Sequence, residues 1–322
     1  MNDPQSPICR LYSRLAERTR SQNLRNRVHI ELENRITPLE WAELQRHSET
    51  LRADDAFLAS WLQIHSPMMG LSGKSRTEPF ERRRLAPGVV LYAKGQTADA
   101  RKRSLVVCFT GRARRMMMPM PVFLQYLDAS AADVVIVSCP RDGLYSNGLP
   151  GLALDVPSLL EQVALIADAG RYARVVTMGT SAGASPSLLF GLRHGCEAVL
   201  AVGIGAADEP SGRSPSRSLE ALARQFSGLS PRRPRVFLVH GADDSRDAET
   251  AEAWASLVHA LRLPVSSASG KVGHNALWPI AQAGRLSAIL GATLLRGGPT
   301  LFRFQLWLAA ARPKPLLKLR IR

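Results

Sequence analysis

A serine flanked by two glycines is the most informative short motif of the chain. The segment Gly179-Thr180-Ser181-Ala182-Gly183 follows the apolar run Val175–Met178 and precedes a helix-like stretch that ends at Arg193. A serine on a sharp turn between a strand and a helix stands above the sheet, where its hydroxyl can attack a carbonyl carbon. Glycines two residues to either side leave room for such a turn. This context favours a nucleophilic serine over the alternative, a tight glycine turn.

A serine hydroxyl becomes nucleophilic at neutral pH only with a base, and the base needs a carboxylate that orients it. Downstream of Ser181, the segment Val236–His240 leads into the turn Gly241-Ala242-Asp243-Asp244. Further on, Val272-Gly273-His274-Asn275 follows another strand-like run. The chain therefore offers serine, aspartate and histidine in that order. The other histidines lie on helix-like or strand segments without such a turn, which favours structural roles for them.

Alternating elements could bring these turns to one edge of a sheet. Short, mostly continuous apolar runs alternate with helix-like segments after residue 88, as expected of strands covered on both faces. The predicted strands are Val89–Ala93, Leu105–Phe109, Val134–Ser138, Val175–Met178, Val199–Ile204, Val236–His240 and Val265–Ala268. The predicted helices include Ser158–Ala169, Ala182–Arg193 and Ala248–Leu261. This rhythm predicts an α/β fold with a doubly wound, mostly parallel sheet.

Three regions are predicted along the chain. Residues 1–86 form an N-terminal helical module and linker, in which Thr37-Pro38-Leu39-Glu40 has the pattern of a helix start. We expect this module to pack on the sheet through Phe57, Leu58, Trp61 and Leu62. Residues 87–295 form the catalytic domain, and residues 296–322 form a basic C-terminal extension. The alternation of Leu317, Leu319 and Ile321 with basic residues fits an edge strand or a frayed end.

Over about residues 88–295 the sequence resembles the α/β-hydrolase superfamily, which includes serine esterases. The resemblance rests on the turn Gly179–Gly183, on the acid turn His240–Asp244, on Gly273-His274, and on Phe109-Thr110-Gly111 at the end of an earlier strand. It implies an α/β-hydrolase-like, mostly parallel sheet flanked by helices, preceded by the small helical module.

The resemblance also implies a role for each matching residue. Ser181 would be the nucleophile, His274 the base and Asp244 the acid, with Asp243 and Asp247 as alternatives for the acid. Asp247 is equally suited to cap the following helix. The backbone amide of Ala182 and an amide near Gly111 or Arg112 would bind the oxyanion.

Departures from the family pattern suggest the substrate. Where lipase-type members carry glycines, Gly111 is followed by Arg112, Arg114 and Arg115. These arginines could recognise a carboxylate or phosphate on the substrate, or form a solvated surface loop. Tyr145 is a further candidate substrate contact, because it follows a strand at the edge where such folds place their sites.

Composition narrows the partners and the location. The 322 residues carry a net charge of +15, and residues 296–322 hold seven Lys or Arg and no acid. Because the excess is concentrated in this tail, we expect no specific nucleic-acid binding, but a peripheral contact of the tail with an anionic membrane or a protein. Four cysteines without a CxxC pair indicate buried thiols in a cytoplasmic protein. No P-loop, dinucleotide fingerprint or HExxH motif is present, so no cofactor and no metal are expected.

The predicted function is that of a serine hydrolase that cleaves a small-molecule carboxylic ester or thioester through an acyl-enzyme. An acyltransferase would use the same residues. A non-catalytic scaffold with this fold, binding a partner through its helical module and tail, is the alternative from a different class. The joint presence of Ser181, an acid turn and His274 favours the enzyme.

Overall fold

The architecture is that of one large mixed sheet with helices on both faces. The computed structural model describes residues 6–19, 21–50, 56–95, 100–140, 145–205, 217–229, 232–267, 270–295 and 317–319. Within these residues the sheet has nine strands in the order β1-β2-β4-β3-β5-β6-β7-β8-β9. Strands β3 to β8 run parallel, while β1, β2 and β9 pair antiparallel with their neighbours. The α/β-hydrolase-like fold class predicted from the sequence is confirmed.

Strands β2 to β8 coincide with the predicted apolar runs to within a few residues. The strand bounds are β1 Glu81–Ala86, β2 Val89–Ala93, β3 Ser104–Phe109, β4 Ala132–Val137, β5 Arg174–Thr180, β6 Ala198–Val202, β7 Arg235–Gly241, β8 Leu261–Ser267 and β9 Leu317–Leu319. Every residue of β3, β4 and β6 is buried, as expected of central strands between two helical layers.

The helices of the described chain fall into an N-terminal group and the two layers on the sheet. Their bounds are α1 Pro7–Arg18, α2 Gln22–Glu33, α3 Pro38–Thr50, α4 Ala56–Gly70, α5 Met120–Gln125, α6 Val156–Ile166, α7 Ala184–His194, α8 Arg217–Ser227, α9 Ser245–Val258, α10 Leu277–Gln282 and α11 Leu286–Leu290. A π-helical turn, Gly291–Leu295, continues α11. Helices α6 to α9 cover one face of the sheet, and α5, α10 and α11 cover the other.

The N-terminal helices have a hydrophobic core of their own. Leu58, Trp61 and Leu62 pack there against Tyr12 and Trp41. The expectation that they would face the sheet is therefore wrong for these three side chains; the side chain of Phe57 lies outside the described residues. The predicted helix start at Thr37 is confirmed, because the Thr37 amide donates to Glu40 Oε2 at 2.8 Å and the Glu40 amide donates to Thr37 Oγ1 at 3.1 Å.

Polar contacts and two methionines join this module to the sheet. Tyr92 of β2 donates its hydroxyl to the Arg35 carbonyl at 2.7 Å, and Arg82 of β1 pairs with Glu40 at 3.0 Å. Met68 and Met69 of α4 pack against the core beneath α5. The module is thus docked mainly by specific polar contacts.

The two edges of the sheet are formed by segments whose structure the sequence analysis had predicted differently or left open. Residues 81–86, predicted as linker, form β1, so the sheet begins before the predicted boundary at residue 87. In the C-terminal extension, Leu317–Leu319 pairs antiparallel with Val265–Ser267 of β8, which selects the edge strand over the frayed end. The rest of that extension lies outside the described residues.

Two further observations concern the described chain as a whole. Cys9, Cys108, Cys139 and Cys196 are all buried and carry free thiols. No helix among the described residues combines the length and apolar character needed to cross a membrane.

Candidate active site

Ser181 stands on a sharp turn between β5 and α7. The strand ends at Thr180, a single 3-10 turn spans Ser181–Gly183, and α7 begins at Ala184. Ser181 has a φ of 53°, in the left-handed region of backbone conformation that residues other than glycine rarely adopt. Such a conformation costs about 1–3 kcal/mol and is maintained by its surroundings, often at functional sites.

The two glycines of the motif are required by close backbone approach. A Cβ atom on Gly179 would lie 2.0 Å from the Gly183 carbonyl oxygen. A Cβ on Gly183 would lie 2.2 Å from the Phe109 carbonyl oxygen of the neighbouring strand. No side chain fits at either position without moving the backbone, so these glycines hold Ser181 against the ends of β3 and β5.

Hydrogen bonds connect Ser181, His274 and Asp247. His274 Nδ1 lies 2.8 Å from Asp247 Oδ2, and His274 Nε2 lies 2.8 Å from Ser181 Oγ. A carboxylate only accepts hydrogen bonds, so Nδ1 carries the proton and donates to Asp247. Nε2 is then free to accept the proton of the Ser181 hydroxyl.

The carboxylate that contacts His274 is Asp247, whereas the sequence favoured Asp244. Asp244 is the N-cap of α9, where its Oδ1 accepts from the Asp247 amide at 3.1 Å. Asp243 Oδ2 accepts from the Val272 amide at 2.8 Å and so braces the turn before His274. The cap and the histidine partner are thus exchanged relative to the prediction.

The environment of His274 favours its protonated form. The hydrogen bond to Asp247, together with the negative charges of Asp247 and Asp244, raises the pKa of His274 above its usual value, against the opposing effect of burial. The Asp247 side chain is only 3% exposed, while that of His274 is 46% exposed. A buried carboxylate behind an accessible imidazole orients the ring and stabilises an imidazolium.

The residues predicted to bind the oxyanion lie around Ser181. Their backbone N–H groups differ in whether they already donate a hydrogen bond within the protein. A Cβ on Gly111 would lie 3.1 Å from Ser181 Cβ, which places this residue directly beside the serine. The Gly111 amide, however, donates to the Arg115 carbonyl at 3.3 Å. Ala182 is the second residue of its 3-10 turn, so its amide has no partner within that turn. Ala182 and Arg112 are therefore better candidates than Gly111.

Two cavities meet at Ser181, His274 and Arg112. The larger has a volume of about 570 Å³ and the smaller about 380 Å³. Apolar side chains line much of the larger one: Met68, Met117, Met118, Pro119 and Trp278. Polar groups line much of the smaller one, namely Asp244, Arg246 and Asp247 together with the three shared residues.

The remaining predicted substrate contacts have other partners. Arg114 pairs with Glu31 at 3.0 Å and Arg115 pairs with Glu33 at 2.9 Å, both in the N-terminal module. The Tyr145 side chain is buried, and its hydroxyl donates to the carbonyls of Val137 and Thr110 at 2.8 and 3.1 Å. Tyr145 therefore supports the backbone beneath the site, and it does not line either of the two cavities at Ser181. Of the three arginines, Arg112 alone is exposed.

Among the described residues, one cluster of side chains has the composition and spacing of a metal site. Asp244, Asp247 and His274 offer ligand atoms that lie within 4.8 Å of one another. The hydrogen bonds of Asp247 to His274 and of Asp244 to the α9 amide account for this cluster without an ion.

Two further residues of the site carry no signal in the sequence. His65 and Met68 of α4 line the larger cavity, more than a hundred residues before Ser181 in the chain. Asn275, directly after His274, donates from Nδ2 to the Met117 carbonyl at 3.1 Å and accepts from the Trp278 amide. Its place beside the predicted base was the only available signal.

Comparisons with known proteins give structural neighbours only. No family model matches the sequence, and no curated protein is significantly similar to it. An esterase of Pyrobaculum calidifontis is 14% identical, with a TM-score of 0.44, covering 80% of this chain and 98% of its own. Esterase B from Lactobacillus rhamnosis is 15% identical, with a TM-score of 0.36, covering 69% and 83%. A predicted CIB-like hydrolase of Thermoplasma acidophilum is 16% identical, with a TM-score of 0.37, covering 57% and 84%. The assignment of the fold rests on the strand order described above.

Proposed function

We propose that this protein is a serine hydrolase that cleaves carboxylic esters or thioesters through a triad of Ser181, His274 and Asp247. The observation that carries the proposal is the pair of 2.8 Å contacts that link the serine, the imidazole and the buried carboxylate. A strained serine backbone and two adjoining cavities at its hydroxyl support it further.

In the first half of the reaction, Ser181 Oγ attacks the carbonyl carbon while His274 Nε2 accepts its proton. The negative charge that develops on the carbonyl oxygen is stabilised by backbone amides, for which Ala182 and Arg112 are the candidates. The carbon–oxygen or carbon–sulfur bond then breaks, and His274 returns the proton to the departing alcohol or thiol. An acyl-enzyme ester on Ser181 remains.

Water completes the cycle by the same route. His274 removes a proton from the water as it attacks the acyl carbon, and Ser181 leaves with that proton as the acid is released. Throughout, Asp247 holds the imidazole in one tautomer and stabilises its charged form. An acceptor alcohol in place of water would give acyl transfer with the same residues.

The two cavities suggest how a substrate would lie. An acyl chain fits the larger, methionine-lined cavity, since thioether side chains adapt to apolar groups of varied shape. The leaving group would then occupy the smaller cavity beside Arg112 and Arg246.

Labelling of the protein by a fluorophosphonate probe tests the proposal without knowledge of the natural substrate. We expect the wild type to be labelled and to hydrolyse p-nitrophenyl butyrate, because the probe reacts only with an activated serine. The variant Ser181→Ala should lose both properties while keeping its circular dichroism spectrum. Ser187→Ala, which alters a buried serine of α7, is the matched control and should remain labelled. Labelling that persists in Ser181→Ala, or a wild type that never labels, would refute the proposal.

A further inference from the structure

The loop of residues 111–118 lies against the active site in a strained conformation. Its residues Arg114 and Met117 have φ angles of 60° and 59°. Left-handed conformations of this kind are unfavourable for residues with a side chain and persist only when neighbouring groups hold them in place. The contacts that hold this loop therefore determine the geometry beside Ser181.

Two of the side-chain contacts that hold the loop come from helix α2 of the N-terminal module. Glu31 pairs with Arg114 at 3.0 Å, and Glu33 pairs with Arg115 at 2.9 Å. A third comes from Asn275, which donates to the Met117 carbonyl at 3.1 Å. The loop is thus fixed between the N-terminal module and the turn that carries His274.

Glu33 is the stronger of the two anchors. Its side chain is 8% exposed, whereas that of Glu31 is 46% exposed and is shared with Arg35. Besides Arg115, Glu33 accepts hydrogen bonds from Trp61 Nε1 at 2.8 Å and from His65 Nε2 at 2.9 Å. Exposed ion pairs contribute little, but a buried carboxylate with three donors is held in one position.

The charge on Glu33 is maintained by these donors. Burial acts to raise the pKa of Glu33, but the hydrogen bonds from His65 and Trp61 and the charges of His65 and Arg115 outweigh it and lower the pKa below its usual value. Glu33 therefore offers Arg115 a fixed negative charge at neutral pH.

Backbone hydrogen bonds connect Arg115 to Gly111, which lies beside the nucleophile Ser181. The Arg115 carbonyl accepts the Gly111 amide at 3.3 Å, and the Arg114 amide returns to the Gly111 carbonyl at 2.8 Å. Gly111 packs against Ser181, and its neighbour Arg112 is a candidate oxyanion donor. A shift of Arg115 would move this turn and the amide it carries.

We propose that Glu33 is a positioning residue of the reaction: through Arg115 it holds the oxyanion side of the active site, so that the N-terminal module completes the catalytic geometry. This inference rests on the proposed hydrolase function. It goes beyond the sequence-based expectation, in which the module packs on the sheet and supplies no residue of the site.

Steady-state kinetics on p-nitrophenyl butyrate with Glu33→Gln in the full chain test this role. We expect kcat to fall about 10- to 100-fold, since small displacements of catalytic groups have effects of that size. KM should change by a smaller factor, about two-fold, because, of the residues that line the larger cavity, only His65 and Arg115 are partners of Glu33. The matched control is Arg82→Gln, which removes another ion pair between module and sheet, with Glu40, away from the loop. Its kcat should equal that of wild type.

A double-mutant cycle separates positioning from general destabilisation. Glu33→Gln and Arg115→Gln should each lower kcat, and the double variant should lower it no further, because both break the same link. If Glu33→Gln fails to fold, Arg115→Gln and Arg115→Lys carry the test, and both should show the reduced kcat.

The inference is overturned by a wild-type kcat in Glu33→Gln, or in both Arg115 variants where Glu33→Gln does not fold. It is also overturned if Arg82→Gln shows an equal loss. These results are distinct from failure of the proposed function, in which the wild type itself would be neither labelled nor active.

Discussion

Three aspartates follow β7 closely in the sequence, and each of them has a different hydrogen-bond partner. Of the three, Asp247 contacts His274. Asp243 braces the turn before the histidine, Asp244 caps α9, and Asp247 accepts from the imidazole. The three side chains lie within five positions of the sequence but face different groups. Substitution of each residue therefore has a distinct expected result.

We expect Asp247→Asn to lower kcat by about 10⁴-fold, because an asparagine can donate to Nδ1 and favour the wrong tautomer of His274. Asp244→Asn is the matched control, since asparagine is as good an N-cap as aspartate and the α9 amide keeps its acceptor. Esterase kinetics and fluorophosphonate labelling rates measure both effects. A larger loss for Asp244→Asn than for Asp247→Asn would return the catalytic role to Asp244.

The pH dependence of activity follows from the raised pKa of His274. The base must be neutral to accept the serine proton, so kcat/KM should fall as the pH drops through the pKa of His274 in the folded protein. Because this pKa lies above the usual value of about 6.5, the fall should begin on the alkaline side of that value. In Asp247→Asn, the lost hydrogen bond and charge should move the acid limb to lower pH. An acid limb that stays in place in this variant would exclude Asp247 as the cause of the shift.

At the level of residues, the sequence singled out Ser181 and His274, which lie in hydrogen-bond contact, but it favoured Asp244 where Asp247 contacts the imidazole. Ser181 and His274 lie on short turns whose glycines and flanking strands are visible in the sequence. Asp244 and Asp247 both lie at the start of a helix, where either can serve as a cap. Which of them turns toward His274 depends on where α9 begins: the helix starts at Ser245, with Asp244 as its cap, and a start three residues later would make Asp247 the cap.

At the level of elements, the three arginines of the loop between β3 and α5 differ in their surroundings. Arg114 and Arg115 are engaged by α2, whereas Arg112 is exposed at the junction of both cavities. The prediction that the loop recognises an anionic group on the substrate therefore narrows to Arg112. Arg246 is the second arginine that lines the smaller cavity, which Asp244 and Asp247 line as well.

We expect the butyryl ester of 4-hydroxybenzoate to be hydrolysed with a higher kcat/KM than the uncharged ester of 4-hydroxybenzamide. The preference should be about two- to five-fold, as for an exposed charge pair, and should shrink as salt is added. Arg112→Met should abolish it, while Arg83→Met, which removes the same charge from β1, should not. Equal rates on the two esters in the wild type would assign Arg112 to the solvated surface.

The strand that the sequence did not predict, β1, has no apolar pattern. β1 has four exposed charged residues in succession, so neither its alternation nor its composition indicates a strand. Its place follows from pairing with β2, a contact that the local sequence does not encode. The central strands were predictable because burial on both faces leaves a continuous apolar run.

At the level of the whole molecule, the contacts that join module and site connect distant parts of the chain. Arg114 and Glu31 are 83 residues apart, and Arg115 and Glu33 are 82. The sequence contains many acidic residues and arginines that could form ion pairs with one another. Which of them pair depends on how the module packs against the rest of the protein. The helical character of the N-terminal segment is visible in its sequence, whereas the pairing of α2 with the loop of residues 111–118 is not.

The charged outer strands of the sheet bear on how copies of this molecule meet one another. β1 and β9 end the sheet on either side, and an outer strand has backbone N–H and C=O groups that can pair with another chain. β1 has Arg83 and Arg84 exposed along this edge, while Arg82 pairs with Glu40; the opposite edge has the sequence Leu-Lys-Leu. Two copies that approach each other through β1 would bring these exposed arginines together before any backbone hydrogen bond could form. The basic residues at the margins thus favour a dispersed protein over sheet-to-sheet aggregation, and they do so most strongly at low ionic strength.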